Sequence, residues 1–364
     1  MKEPAASATL SQVAAHAGVS LATASRALNG STRRVNPQLQ ERVLASAAVL
    51  GYSPNVQAQA MARGTSTTVA VVVGDIDDPY FSAIASGVIR VADERGLIVT
   101  ISATGTEADR EVSTLAALRG QRPRAVIVAG SRHVDASADG RSTNELEAIE
   151  KAGGRVALIG SSAPGFRAVG IRNREAARAL ADALIDLGYR DFAVLAGSDA
   201  LLTARERTAG FVEAVQAAGI AIPDSRIAHG VFSRDGGYAT MAAFLAAGER
   251  PECVFAVTDV MALGAMAALR DAGAAPGVEV AVAGFDDIRL VQDVTPSLTT
   301  VALPLSEIGA RAIELALAED PDDAVAAPFD GVVVIRDSTP RMARGRDESE
   351  AATRATPRRA RGRD

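Results

Sequence analysis

Thr9–Arg63, TLSQVAAHAGVSLATASRALNGSTRRVNPQLQERVLASAAVLGYSPNVQAQAMAR, is the stretch from which the rest of the chain is read. Leu10, Val13, Ala14 and Ala17 recur at i, i+3, i+4 and i+7, which makes one apolar face of a helix. Thr9 and Gln12 have capping-box spacing and mark its start. Gly18 ends it, and Val19 can plug the corner that follows. Ser20 is a good N-cap for a second helix over Leu21–Asn29. Two short helices joined by a tight glycine turn form a helix-turn-helix pattern. Asn36 and Pro37 then supply an N-cap and a first-turn proline. Leu39, Val43, Ala47 and Leu50 give a third apolar face, and Gly51 stops it. Taken alone, this pattern also suits three ordinary helices of any small domain.

Two segments narrow the choice. GVSLATASRALNG, from Gly18, and GYSPNVQAQAMARG, from Gly51, resemble the recognition helix and hinge helix of the lactose-repressor (LacI/GalR) family of bacterial transcription regulators. The resemblance runs on to about Pro340, with its motifs in the right order. It implies an all-α helix-turn-helix head plus hinge helix, joined to a two-lobed α/β periplasmic-binding-protein-like domain with parallel sheets. The expected division is a DNA-binding head over 1–52, hinge helix and linker over 53–67, and an effector-binding and dimerisation domain over 68–340. Within the last, lobe one takes about 68–165 and 295–326, and lobe two about 166–294 and 327–340. The chain is expected to cross between lobes near Gly165, Val294 and Ala326.

A recognition helix sets its N-terminal turns against base edges in the major groove. Ser20, Leu21, Ala22, Thr23, Ser25, Arg26 and Asn29 are therefore the expected DNA-facing residues. By resemblance, Leu21 and Ala22 occupy the two positions that vary most with operator sequence. Neither side chain donates a hydrogen bond, so they would select by shape and by contact with a thymine methyl. Arg26, one turn on, is the candidate for guanine. Thr23, Ser25 and Asn29 suit phosphates, which position the helix without specifying sequence. The resemblance further implies that Asn55–Ala62, too short to be a stable helix alone, folds beside a second copy in the minor groove. Asn55 and Arg63 belong to that contact. Met61 stands where the family usually wedges Leu into the central base step, a softer choice from the same class of wedges. The bland alternative is an ordinary linker.

Charge is divided along the chain. Residues 1–64 carry six Lys/Arg against two acids, and residues 341–364 carry eight Arg against four acids. The overall charge of −6 therefore leaves −14 on the residues between. A basic head on an acidic body suits a protein that meets DNA at one end. The Arg-, Ala- and Gly-rich segment 341–364 reads as a disordered basic tail. It holds no leucine heptad of the kind by which some relatives tetramerise, so a homodimer is expected. No run approaches a membrane span and no export signal is visible, so a soluble cytoplasmic (nucleoid-associated) protein is expected. The single cysteine, Cys253, lies in the apolar run ECVFAV and reads as a buried strand residue rather than a nucleophile.

From Thr68 the pattern becomes alternating strands and helices. TVAVVVG, LIVTISA, RAVIVAG and RVALIG are β-branched runs about 30 residues apart, with helical stretches such as Ser82–Arg95 and Glu107–Arg119 between them. A second series follows in FAVLAG, RIAHGVF, ECVFAV and VEVAVAGF. Open parallel sheets bind ligands beyond the carboxyl ends of their strands, so a ligand between two lobes is the expectation. Matching the family's pocket positions nominates Tyr80 and Phe81 in DPYF and Arg132 after the third strand. It also nominates Arg207 in ARERTAGF, Phe232 as a ring-stacking aromatic, Asp259 in TDVMALGA and Asp286 in GFDD. Strand-end Asp and Arg also cap helices or pair with each other, and Tyr80 and Phe81 also suit a core. Arg172 stands where the family often has Asp, and with Arg132 it would favour an acidic sugar or other anion.

The resulting expectation is a sequence-specific DNA-binding regulator, acting as a repressor, that binds a pseudo-palindromic operator as a homodimer. A sugar or related small effector would change its affinity. No cofactor, metal or membrane partner is implied. A solute-binding receptor would use the same body but has no use for Thr9–Arg63. A sugar-processing enzyme would need a catalytic set, and the three histidines (His16, His133, His229) are scattered.

Overall fold

The computed structural model describes residues 8–29, 35–53, 66–105, 107–160, 165–319 and 325–342. The hinge positions Asn55, Met61 and Arg63, and the tail from residue 343, lie outside them.

The head is three helices: α1 (Leu10–Ala17), α2 (Leu21–Asn29) and α3 (Pro37–Val49). Thr9 and Gln12 form the capping box, with Gln12 N donating to Thr9 Oγ1 and Thr9 N donating to Gln12 Oε1. Gly18 takes the left-handed conformation, φ 62°, that ends α1. Val13, Ala14, Ala17, Ala24, Ala27, Val43 and Ala47 form the core, with Val19 packed against it. Five of these seven core residues are alanines, so the helices approach closely and little apolar area is buried. Polar ties supplement it: Arg42 Nη2 donates to the Ala17 carbonyl at 2.5 Å, and His16 Nδ1 lies 3.0 Å from Ser46 Oγ.

The body alternates strands and helices. Its first part is β1 (Thr68–Val73), α4 (Pro79–Glu94), β2 (Ile98–Ala103), α5 (Ala108–Gln121), β3 (Ala125–Ala129), α6 (Ala136–Lys151), β4 (Arg155–Gly160) and β5 (Arg167–Ile171). The second part is α7 (Asn173–Asp186), β6 (Phe192–Gly197), α8 (Leu202–Ala217), β7 (Ile227–His229), α9 (Arg234–Ala246), β8 (Cys253–Ala256), α10 (Asp259–Asp271) and β9 (Ala281–Ala283). The chain closes with β10 (Thr300–Ala302), α11 (Leu305–Leu317), β11 (Val325–Phe329) and β12 (Val332–Val334).

Two parallel sheets result, ordered β11-β5-β4-β3-β1-β2 and β7-β6-β8-β9, with a two-stranded β10-β12 ribbon beside them. β1 and β3 are buried almost throughout because helices cover both faces, which explains their unbroken valine and alanine runs. In the first lobe α4 and α11 pack at Gly87 and Gly309. A Cβ on Gly87 would collide with the Ser306 carbonyl, and one on Gly309 with the Ile84 carbonyl.

The lobe boundaries differ from those expected. The expected bounds put β5 in lobe two, yet Ala157–Gly160 pair in parallel with Arg167–Gly170, so the first crossing follows Ile171 rather than Gly165. Gly284 N and Asp286 N donate to Thr299 O and Val301 O, at 2.8 and 2.9 Å. These bonds tie the chain to lobe two past Val294, and the second crossing follows Val301. β11 pairs with β5 as far as Phe329, so the third crossing lies beyond Ala326. In each case a strand stays with its sheet because its backbone groups need ladder partners, a demand that loop composition does not reveal. Among the described residues no helix is long and apolar enough to cross a membrane.

Candidate functional site

Two surfaces carry the candidate residues. On α2, Ala24 and Ala27 are buried, while Leu21 is 51% exposed and Ala22 and Arg26 are exposed. At about 100° per residue, Leu21, Ala22, Ser25 and Arg26 share one outward arc. Ser20 caps the helix: Thr23 N donates to Ser20 Oγ at 3.1 Å, and the two hydroxyls lie 2.8 Å apart. The side chain of Asn29 lies outside the described residues.

The second surface is a cleft of about 450 Å³, open solvent at its mouth included, built from strand ends of both lobes. Lobe one contributes Asp78, Tyr80 and Phe81 after β1, Gly130 and Ser131 after β3, Ile159 and Gly160 from β4, and Ile171 from β5. Lobe two contributes Asn173 on α7, Thr203 and Arg207 on α8, Phe232 after β7, Thr258 after β8 and Asp286 after β9. Asp78 and Pro79 start α4, and Asp78 Oδ1 accepts from Tyr80 N at 2.9 Å. That turn swings both rings into the cleft, Tyr80 edge-on to Phe81 with centroids 5.0 Å apart.

Arg207 is the polar centre and is 2% exposed. Its Nε donates to Asn173 Oδ1 at 2.9 Å, and its Nη1 to the Val257 carbonyl at 2.8 Å. Its guanidinium also lies 3.8 Å over the Phe285 ring. Nη2 stands 2.9 Å from Asp286 Oδ1. A carboxylate oxygen has more than one acceptor site, so Oδ1 keeps acceptor capacity beside this ion pair. Asp286 holds φ 116° and Asp287 φ 53°, a backbone strained for side-chain-bearing residues. Burial pushes the Asp286 carboxyl up to about 7, Arg207 opposes the rise, and Asp78 adds to it. Burial also raises Asp78, and it raises the Tyr80 phenol with a further push from Asp286.

Of the residues nominated from sequence, Tyr80, Phe81, Arg207, Phe232 and Asp286 meet in this cleft, and two do not. Asp259 is fully buried, with Oδ2 accepting from Ile288 N at 2.9 Å and Oδ1 from Thr300 Oγ1 at 2.6 Å. It ties α10 to the crossing strand, and its neighbour Thr258 faces the cleft instead. Arg132 turns back into its own lobe, with Nη2 2.5 Å from Asp139 Oδ2 and donating to Thr143 Oγ1 at 2.8 Å. Arg172 pairs with Asp330 at 3.3 Å on a half-exposed surface. Neither arginine on which the anion expectation rests lines the cleft. Both extra arginines are spent elsewhere, and the lining guanidinium faces the carboxylates of Asp78 and Asp286. Asp78, Ser131, Asn173, Thr203 and Thr258 were missed. Each adjoins a strand or helix terminus, so the strand-end rule would have found them if applied to every strand.

Residues 9–55 match the model for bacterial regulatory proteins of the lacI family, and residues 181–339 match that for a periplasmic binding protein-like domain. The HTH-type transcriptional regulator GalS of Salmonella typhimurium is 36% identical over 85% of this chain and 89% of its own. GalR of Escherichia coli K12 is 32% identical over 85% and 89%. The lac repressor dimer bound to operator and the anti-inducer ONPF aligns with a TM-score of 0.75 at 25% identity, over 92% of this chain and 100% of that one. A transcriptional regulator CelR–cellobiose complex aligns at 0.64 and 29%, over 91% and 99%.

Proposed function

This chain belongs to the lacI family of bacterial regulatory proteins, and we propose that it is a repressor released from, or recruited to, a pseudo-palindromic operator by a small polyhydroxylated effector. The family's members among its relatives are DNA-binding transcriptional regulators rather than enzymes, and the chain is one. Two heads of a homodimer read the operator in adjacent major grooves through Ser20, Leu21, Ala22, Thr23, Ser25, Arg26 and Asn29. Asn55, Met61 and Arg63 meet the minor groove between them. Work on operator DNA makes the chain cytoplasmic.

The observation that carries the effector reading is the Arg207–Asp286 pair in a cleft walled by Tyr80, Phe81 and Phe232. Aromatic faces suit the apolar face of a sugar ring, and a carboxylate with spare acceptor capacity suits its hydroxyls. A similar solved structure is a complex with cellobiose, a ligand of this class. Two carboxylates against one guanidinium favour a neutral ring over an acidic one. An effector that favours one closure state shifts the spacing of the heads, a coupling of typically about 1–3 kcal/mol that must be reciprocal.

The test is selection of bound duplexes from a random pool by the purified full chain, followed by a panel of neutral and acidic sugars on the recovered site. A palindromic consensus whose binding changes with a neutral sugar is the expected result. No consensus at low salt, or a response to acidic sugars alone, overturns the reading.

A further inference from the structure

Two loops from different lobes meet as a short antiparallel ribbon. One follows β3 and includes Ser131–Val134, and the other follows β6 and runs into α8. Leu202 N donates to the Arg132 carbonyl at 3.0 Å, and Val134 N to the Ala200 carbonyl at 2.9 Å. His133 and Leu201 face each other between these bonds as an isolated antiparallel bridge. Thr203 N donates to Ser131 Oγ at 2.9 Å. Ser131 and Thr203 also line the cleft, so the ribbon starts at its rim.

Both sides are braced inside their own lobes. The Arg132 side chain is fixed by Asp139 and Thr143. Leu201 is buried, and its N–H donates to the Ser198 carbonyl at 3.2 Å. The N–H groups of Leu202 and Thr203 are the first of α8, and no carbonyl within the helix can take them. The N-cap residue of α8 is Leu201, which has no side chain able to accept them. Lobe one thus supplies the cap that a lobe-two helix lacks. When the lobes part, water takes the same groups, so the contact is modest and reversible.

We propose that this ribbon is a latch that holds the two lobes together at the rim of the cleft and breaks as one unit when they part. The latch goes beyond the effector reading and does not depend on which effector binds.

The backbone offers a selective way to cut it. Leu202 is the first residue of α8, a position where proline is well tolerated. Leu201 before it is extended, φ −103° and ψ 126°, as a residue preceding proline prefers. Leu202→Pro therefore removes the donor to Arg132 while keeping the helix, and Leu202→Ala keeps both. Ser131→Ala removes the acceptor for Thr203 without touching α8. The measurement is amide hydrogen exchange on the full chain with no small molecule added. In the parent protein and Leu202→Ala, Val134 and Thr203 are expected to be protected. In Leu202→Pro, Val134 should exchange about tenfold faster while amides in the interior of α8 keep their protection. Ser131→Ala should do the same at Thr203. Unprotected Val134 and Thr203 in the parent protein would overturn the latch, as would unchanged Val134 exchange in Leu202→Pro with α8 intact. If that variant loses α8, the Ser131→Ala result decides. Exchange reports the ribbon alone, so its failure is separable from failure of the sugar panel.

Discussion

Arg207 Nη2 and Asp286 Oδ1 stand 2.9 Å apart with both side chains almost wholly buried, and the pair is anchored from several directions. Asn173 and the Val257 carbonyl fix the guanidinium, and a left-handed backbone fixes the carboxylate. Neither group can swing away to suit a ligand, so the ligand must fit them.

Removing the cation strands its partner. Arg207→Ala leaves a buried carboxylate beside a second acid and an unpaired Asn173 oxygen, a loss of about 3–5 kcal/mol. Calorimetry should show the thermal midpoint falling by several degrees, with the effector response lost. Arg207→Lys keeps the charge but not the fork, and should recover more stability than response.

Stability should depend on pH through Asp286. Its carboxyl is raised by burial to about 7 from an ordinary value near 4. The folded state therefore holds a proton that the unfolded state has released. This contribution is fully present below about pH 4 and is lost as pH rises through about 7. Asp259, raised in the same direction, adds to the slope. Thermal midpoints from pH 4 to 8 should fall less steeply in Asp286→Asn than in the parent. An equal slope would remove Asp286 as a source.

Asp259 and Asp286 should separate by phenotype. Asp259 joins α10 to Ile288 and Thr300 and does not face the cleft. Asp259→Ala should lower the melting temperature through unsatisfied donors, costing about 1–3 kcal/mol. Its sugar affinity, measured below its own melting range, should change far less than that of Asp286→Asn.

Helix α4 meets α11 without room for a methyl group. Gly309→Ala forces a Cβ against the Ile84 carbonyl, and overpacking of this kind costs about 1–3 kcal/mol. Urea unfolding should show a lower midpoint with an unchanged slope.

Arg26 is exposed on the outward arc of α2. Arg26→Ala should lose about 1–3 kcal/mol of operator affinity and relax the requirement at one base pair. Equal weakening on every duplex would make it a phosphate contact.

Much of this molecule is local in origin. The capping box at Thr9, the glycine stop at Gly18 and the Asn36–Pro37 start are written in adjacent residues, because a helix terminus is satisfied by its neighbours in sequence. The runs of β1, β3 and β8 are legible for a different reason: burial on both faces leaves an unbroken apolar run. The cleft was only partly legible. Resemblance to the family's pocket positions nominated Tyr80, Phe81, Arg207, Phe232 and Asp286, and the structure brings all five to one cleft. Which strand-end charges face a ligand was decided in three dimensions. Arg132 found Asp139 seven positions on, Arg172 found Asp330 across the chain, and Asp259 found Ile288 and Thr300. A buried or half-buried charge takes whichever partner packing sets beside it, and packing is not written in spacing. The lobe crossings were settled in the same way, by ladder bonds to strands far away in sequence.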